Sequence, residues 1–182
     1  MKNINIFYNS KKGKLEGEKI KYSTTSLLQS SYIYQKKDKI NNLEKIIYEV
    51  EFHDNNVKEG NLGGLFFGIS NIYPGKVGKE FYMTKGHKHK KNDTGEYYWG
   101  LKGAGKLLLV YENDTYEIQD VFEGSLHYIP GKTAHRLINV SKKKLSVGAC
   151  WQSESEHDYD CHFPIRVIEN GDGEIEYVNC SS

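Results

Sequence analysis

From Lys45 onward the chain is a succession of short strand-like runs, each closed by a polar or glycine-containing turn. The runs IIYEVEF, GGLFFGISNIY and KEFYMTKGHKH are followed by EYYWGLKG, GKLLLVYE and TYEIQDVF, then by SLHYIP, AHRLINV and KLSVGACW. Runs of this length, separated at short regular intervals, fold as an antiparallel sandwich or barrel. Turns are expected at 74–78, at Asn113-Asp114, and at 170–173, the last closing a hairpin within PIRVIENGDGEIEYVN. The 14 tyrosines and 18 glycines agree, because aromatics suit half-buried pleated surfaces and glycine supplies turns. Residues 1–45 have a different texture, polar and irregular. The helical spacing of Ile40, Leu43 and Ile47 predicts a helix over 36–47. The expected architecture is one all-β domain over 1–182, with an N-terminal irregular or helical extension (1–45) before a barrel core and C-terminal hairpin (46–180).

A chain of 182 residues buries enough surface to hold a core without disulfides. Its three cysteines, Cys150, Cys161 and Cys180, are odd in number and match no C-x-x-C spacing. They read as reduced thiols packed like small hydrophobes. The net charge is +1, from 25 basic and 24 acidic residues, without the basic excess of a nucleic-acid-binding domain. The longest apolar run, 107–111, is five residues, far short of a membrane span. The first residues show no apolar segment of a secretory signal. These features predict a cytoplasmic protein with neither a nucleic-acid nor a membrane partner.

The chemistry concentrates in GHKHKKNDTGEYYWGLKG, residues 86–103. His87 and His89 lie two apart in a run that reads as strand, and period two puts both imidazoles on one face. Glu96 follows across a polar turn, and Gly103 lies seven beyond it. A second block carries Gly124, Pro130, His135 and Asn139. Each residue alone has a plain reading: exposed strand histidines, a surface carboxylate, a hydrogen-bonded loop histidine. Together, three imidazoles and one carboxylate from separate strands can converge on one divalent Zn, Fe, Ni or Mn ion. Strand alternation also puts Tyr98 on the face of Glu96, with Tyr97 and Trp99 on the other.

The two blocks make the two-part cupin signature, H-x-H-x(n)-E-x6-G followed by G-x5-P-x4-H-x3-N. Within the cupins the chain resembles the archaeal-type glucose-6-phosphate isomerases. The similar stretches are IYPGKVGKEFYMTKGHKH, EYYWGLKGAGKLLL, IPGKTAHRLIN and EHDY at 156–159, together with the six-residue gap between His89 and Glu96. The resemblance runs from about Val50 to Asn179. It implies a jelly-roll barrel (a double-stranded β-helix), usually a homodimer. It further implies one divalent ion per subunit, Fe2+ first among Mn2+, Ni2+ and Zn2+, held by His87, His89, Glu96 and His135. The implied reaction interconverts glucose 6-phosphate and fructose 6-phosphate. Glu96 would move the proton between C1 and C2, and His157 would open the sugar ring.

The resemblance implies a substrate site of Ser70, Thr84, Gly86, Tyr98, Trp151 and Tyr159. Hydroxyls at Ser70 and Thr84 and the Gly86 N–H would hold the phosphate. Ser70 stands where the family usually has Thr, and Trp151 where it has Tyr. Ser70 and Thr84 are equidistant from Val77, so a symmetric hairpin would set them side by side. Strict alternation nevertheless puts Thr84 opposite His87 unless a bulge at Gly86 turns the strand. Lys85, Lys88, Lys90 and Lys91 read as a solvated turn that could also attract an anionic sugar. His53, His127 and His162 match nothing in the signature and read as structural. Two other readings stay open on the residues: an iron dioxygenase, since the same donors suit oxygen chemistry, and a non-catalytic sugar-binding cupin.

Overall fold

The computed structural model describes residues 6–91 and 93–180. Residues 1–5 of the extension and Asn92 of the turn before Glu96 lie outside this range. Among the described residues strands dominate, with one short α-helix, Leu27–Ser30, and two 3-10 turns. Among the described residues no helix is long and apolar enough to cross a membrane.

One long antiparallel ribbon organises the chain. Its two arms pair Leu65–Ile72 with Leu145–Gln152, then Met83 with Ile138 and His87 with His135. They continue as Glu96–Lys102 with Leu126–Ile129 and end as Ala104–Val110 with Tyr116–Phe122. The pairing of the two arms continues along this length, from Leu65↔Gln152 to Val110↔Tyr116. The tip is the turn at Asn113-Asp114, where Tyr111 N–H donates to Thr115 O. The ribbon is wound so that its segments also pair sideways. Glu96–Lys102 lies beside Leu145–Gln152, and Ala104–Val110 beside Ala134–Ile138. Successive segments therefore fall alternately in a six-stranded and a three-stranded sheet, which is the jelly-roll, double-stranded β-helix topology.

Burial follows from this winding. Leu107, Leu108 and Leu109 are all buried, because their strand is covered on both faces. Asn139 straps the ribbon: its Nδ2 donates to Ile72 O (2.9 Å) and Lys143 O (2.8 Å), and its Oδ1 accepts from Ser141 N. Gly100 is forced by the corner of its strand, since a Cβ there would lie 1.9 Å from Phe122 O. The C-terminal hairpin forms as expected, with Ile165–Glu169 on Ile175–Asn179.

The first 45 residues carry more sheet than their texture suggests. Lys21–Ser26 pairs with Ile46–His53 and becomes the edge of the six-stranded sheet. The helix expected over 36–47 is absent: only the 3-10 turn Lys37–Lys39 forms, and Ile47 belongs to the strand Ile46–His53. The Asn42 side chain accepts from Glu44 N and turns the chain locally, and strand pairing outweighs a weak helical spacing.

Candidate active site

His87 lies just before the short strand Lys88–His89, Glu96 opens the strand Glu96–Lys102, and His135 lies in Ala134–Ile138. The winding brings one potential ligand atom from each of the four to within 4.8 Å of all the others. Glu96 Oε1 sits at the centre, 2.6 Å from His135 Nε2, 3.3 Å from His89 Nε2 and 3.8 Å from His87 Nε2. All four of these atoms are buried, and none makes a well-formed hydrogen bond. Four orphaned polar atoms facing one point are costly unless a cation joins them.

The histidines are oriented from behind. His89 Nδ1 meets Thr94 O at 2.8 Å, and His135 Nδ1 meets Thr133 O at 3.1 Å. A proton held there by a carbonyl leaves Nε2 with its lone pair turned to the cluster. Burial by itself would raise the Glu96 carboxyl. The facing His135, His89 and His87 outweigh that and hold it well below its ordinary value. Burial drives His87 well down, with His135 adding to the effect. His89 is also pressed down by burial, but contact with Glu96 overcomes this and raises it. Three neutral-capable imidazoles and an ionised carboxylate fit a divalent first-row ion.

Above this cluster opens a cavity of about 490 Å³. Ser70, Thr84, Gly86, Tyr98, Trp151, His157 and Tyr159 all line it, beside His87 and Glu96. His89 and His135 lie deeper. The alternation expected of the Glu96 strand holds: Tyr98 faces in, while Tyr97 and Trp99 are half exposed. Burial, with Glu96 nearby, raises Tyr98 well above its ordinary value, so it stays a neutral hydroxyl. Trp151 packs edge-on against Phe66 at 5.7 Å and lies 6.1 Å from the His157 ring.

The symmetric hairpin expected around Val77 does not form. Lys76–Val77 turns back tightly on Glu80–Phe81, so the turn lies at Gly78-Lys79. Ser70 pairs instead with Val50 and Val147, in the other sheet from Thr84's neighbours. Both residues line the cavity, but they are not paired across a ladder. The conflict of Thr84 with His87 is resolved at Gly86, whose φ of +76° breaks the strand between them. A Cβ at Gly86 would also lie 2.5 Å from the Phe163 ring and 3.0 Å from His135 O. Glycine is required there twice over.

Segment 84–87 is tied to Ala134–Ile138 on both sides. Thr84 N donates to Leu137 O, His87 and His135 exchange both backbone bonds, and Thr84 Oγ1 accepts from Leu137 N at 3.1 Å. Among the described residues nothing accepts from the Gly86 N–H. The lysine run is mostly paired with the facing acidic segment. Lys88 meets Asp158, Lys90 meets Glu156, and Lys91 meets Glu154; Lys85 alone of the four lines the cavity. His127 is a structural histidine, bonded to Gln119 Oε1 and Ser125 Oγ.

A model of the family Glucose-6-phosphate isomerase matches residues 22–172. The chain belongs to the glucose-6-phosphate isomerase family. It is 33% identical over 145 residues to the glucose-6-phosphate isomerase of Sinorhizobium medicae, covering 76% of this chain and 66%, just under two thirds, of that protein. It is 37% identical over 140 residues to that of Thermococcus kodakarensis, covering 75% and 72% of the two chains. With that of Pyrococcus furiosus the match is 32% over 173 residues, 92% and 89%. Among solved structures it is similar to oxalate decarboxylase from Bacillus subtilis, with 16% identity, a TM-score of 0.48, and coverage of 62% and 27%.

For a member of the glucose-6-phosphate isomerase family, the cavity also includes residues that no motif pointed to. Ser23 and Thr25 reach it from the edge strand Lys21–Ser26, Tyr32 from the turn after the helix, and Tyr48 from Ile46–His53. Glu59 lines it too, and its Oε1 lies 3.1 Å from His157 Nδ1. Burial lowers His157, and the Glu59 carboxylate offsets part of that. Nothing in the local sequence marks Glu59, because its partner is 98 residues away.

Proposed function

We propose that this protein is a metal-dependent isomerase interconverting glucose 6-phosphate and fructose 6-phosphate. The observation that carries the reading is the set of four orphaned, buried donor atoms at the floor of a cavity lined by hydroxyls and aromatics. Family membership narrows the reaction. His87, His89, Glu96 and His135 hold one divalent ion per chain, Fe2+ first among Fe, Mn, Ni and Zn. Such an ion supplies Lewis-acid stabilisation of the charge that develops on the substrate's carbonyl and hydroxyl oxygens.

The chain's own residues do the rest. Ser70, Thr84 and the free Gly86 N–H bind the phosphate, fixing C1 and C2 beside Glu96. Glu96, held toward its ionised form by the facing imidazoles, moves the proton between these carbons. The imidazoles that keep it ionised also make it a weak base. His157, neutral near pH 7 and braced by Glu59, exchanges the proton of the ring oxygen during opening. Tyr98 donates from the same strand face as Glu96, and Trp151 and Tyr159 wall the sugar from water. The enzyme is cytoplasmic and works as a homodimer. The dimer reading rests on an exposed aromatic strip, Tyr97, Trp99, Leu126 and Tyr128, on the outer face of the six-stranded sheet.

A coupled assay with each sugar phosphate, before chelation, after it and after metal add-back, tests the reading. Activity that disappears on chelation and returns with the ion supports it. Oxygen consumption with no isomerisation would favour the dioxygenase, and binding without turnover the non-catalytic cupin.

A further inference from the structure

A second cavity, of about 280 Å³, lies on the face of Ala134–Ile138 opposite His135. The chain has two arginines, Arg136 and Arg166, and both line this cavity, with Lys85 and Glu80. Three cations thus face one carboxylate. Glu80 is already committed: its Oε2 accepts from Arg166 Nη1 at 2.9 Å and its Oε1 from Gln35 N at 2.7 Å.

Arg136 is the unusual member. It is 9% exposed, and among the described residues no carboxylate lies within 4.0 Å of it. Its Nη2 donates to Lys85 O at 2.5 Å, and its guanidinium lies 3.9 Å from the Phe163 ring centroid. Its Nε has no partner, and neither has the Nε of Arg166. Burial draws Arg136 down to about 10, against a smaller upward pull from Tyr34, Tyr32 and Cys180. A ring face offsets part of the cost of a buried cation, but it supplies neither counter-charge nor an acceptor for Nε.

We propose that this second cavity binds a small dianionic oxyanion of the phosphate class between Arg136 and Arg166, apart from the sugar-phosphate cavity. The surplus of two positive charges matches a dianion. Two guanidiniums on one cavity offer the planar, multidentate donor geometry that phosphate oxygens accept. The cavity shares Lys85, Tyr32 and Tyr159 with the substrate cavity, so the two sites are neighbours. The proposal does not rest on the isomerase reading.

Inorganic phosphate is the probe, measured by equilibrium dialysis on the full metal-loaded chain with and without saturating glucose 6-phosphate. One phosphate site per chain should persist under saturating sugar phosphate. It should weaken at least tenfold in Arg166→Met and in Arg136→Met, and remain in Ser70→Ala. Arg166→Met should leave KM and kcat for the sugar phosphate unchanged. No persistent site, or one indifferent to both arginines, overturns the proposal. Should Arg136→Met fail to fold, Arg166→Met alone decides. Loss of isomerase activity in every preparation, with arginine-dependent phosphate binding intact, would sink the isomerase reading and leave this one standing.

Discussion

Glu96 carries two proposed duties, and they separate by substitution. Gln keeps the size and one oxygen donor but loses the charge that faces three imidazoles. Glu96→Gln should bind the ion more weakly, and kcat should stay down by about 10²-fold or more even at full occupancy. Metal content and kcat measured on one sample decide it: full rescue by added metal confines Glu96 to the ligand role. Glu59 offers a second residue-level test. Its carboxylate partly offsets the downward push of burial on His157. Removing the charge in Glu59→Gln should therefore lower His157 further and move the acidic limb of kcat/KM to lower pH. A limb that stays in place means His157 is not the titrating group.

At the scale of elements, the proposed phosphate grip joins the strand Leu65–Ile72 to segment 84–87, which runs beside a strand of the other sheet. Ser70→Ala removes a contact remote from the reacting carbons, so it should raise KM and leave kcat nearly alone. An unchanged KM takes Ser70 out of the site. Gly86→Ala should be far harsher, because the added methyl meets Phe163 and the backbone sits at positive φ. A loss of about 1–3 kcal/mol of stability is expected from such strain, read by denaturant unfolding. These elements also show what the sequence could reveal. Alternation over Glu96–Lys102 was legible, since an antiparallel strand with one solvated face must sort Tyr98 from Tyr97 and Trp99. The four clustered donors were legible as spacing. The hairpin around Val77 was misread because hydropathy does not register that Ser70 joins one sheet while Thr84 runs beside a strand of another. Thr25, Tyr32, Tyr48 and Glu59 were illegible: they reach the cavity through long-range pairing of the first two strands of the six-stranded sheet and through loops, which leaves no local pattern.

For the molecule as a whole, the ion should act as a clamp. Ligand that binds only the folded chain stabilises it by about 3–4 kcal/mol at 100–1,000 times its Kd. Chelation should lower Tm, and add-back should restore it. A Tm indifferent to chelation would remove the cluster from the list of metal sites. The metal-free protein should respond to pH with a definite sign. Burial lowers His87 and His157, so below their ordinary 6.5 the unfolded chain takes up protons that the folded one refuses, and stability falls. Glu96, held below its ordinary 4.5, extends that fall to lower pH. His89, raised, works the other way: its contribution is present below 6.5 and is lost as pH rises through its folded value. Two against one, Tm should drop between pH 7 and 5. A rise would mean that the His89–Glu96 contact dominates.

The wound ribbon also sets an order of events in time. Its tip pairs Val110 with Tyr116, six residues apart, while its open end joins Leu65 to Gln152. Closing the tip costs little chain entropy, and each pair further out is reached only through those inside it. Assembly should therefore nucleate at the Asn113-Asp114 turn and zip outward on the slow, millisecond-to-second scale of non-local β topologies. His87 and His135 face each other midway along the zipper. The nascent chain has no place to hold a cation until half the ribbon has closed, and synthesis must pass His135 before His87 finds its partner.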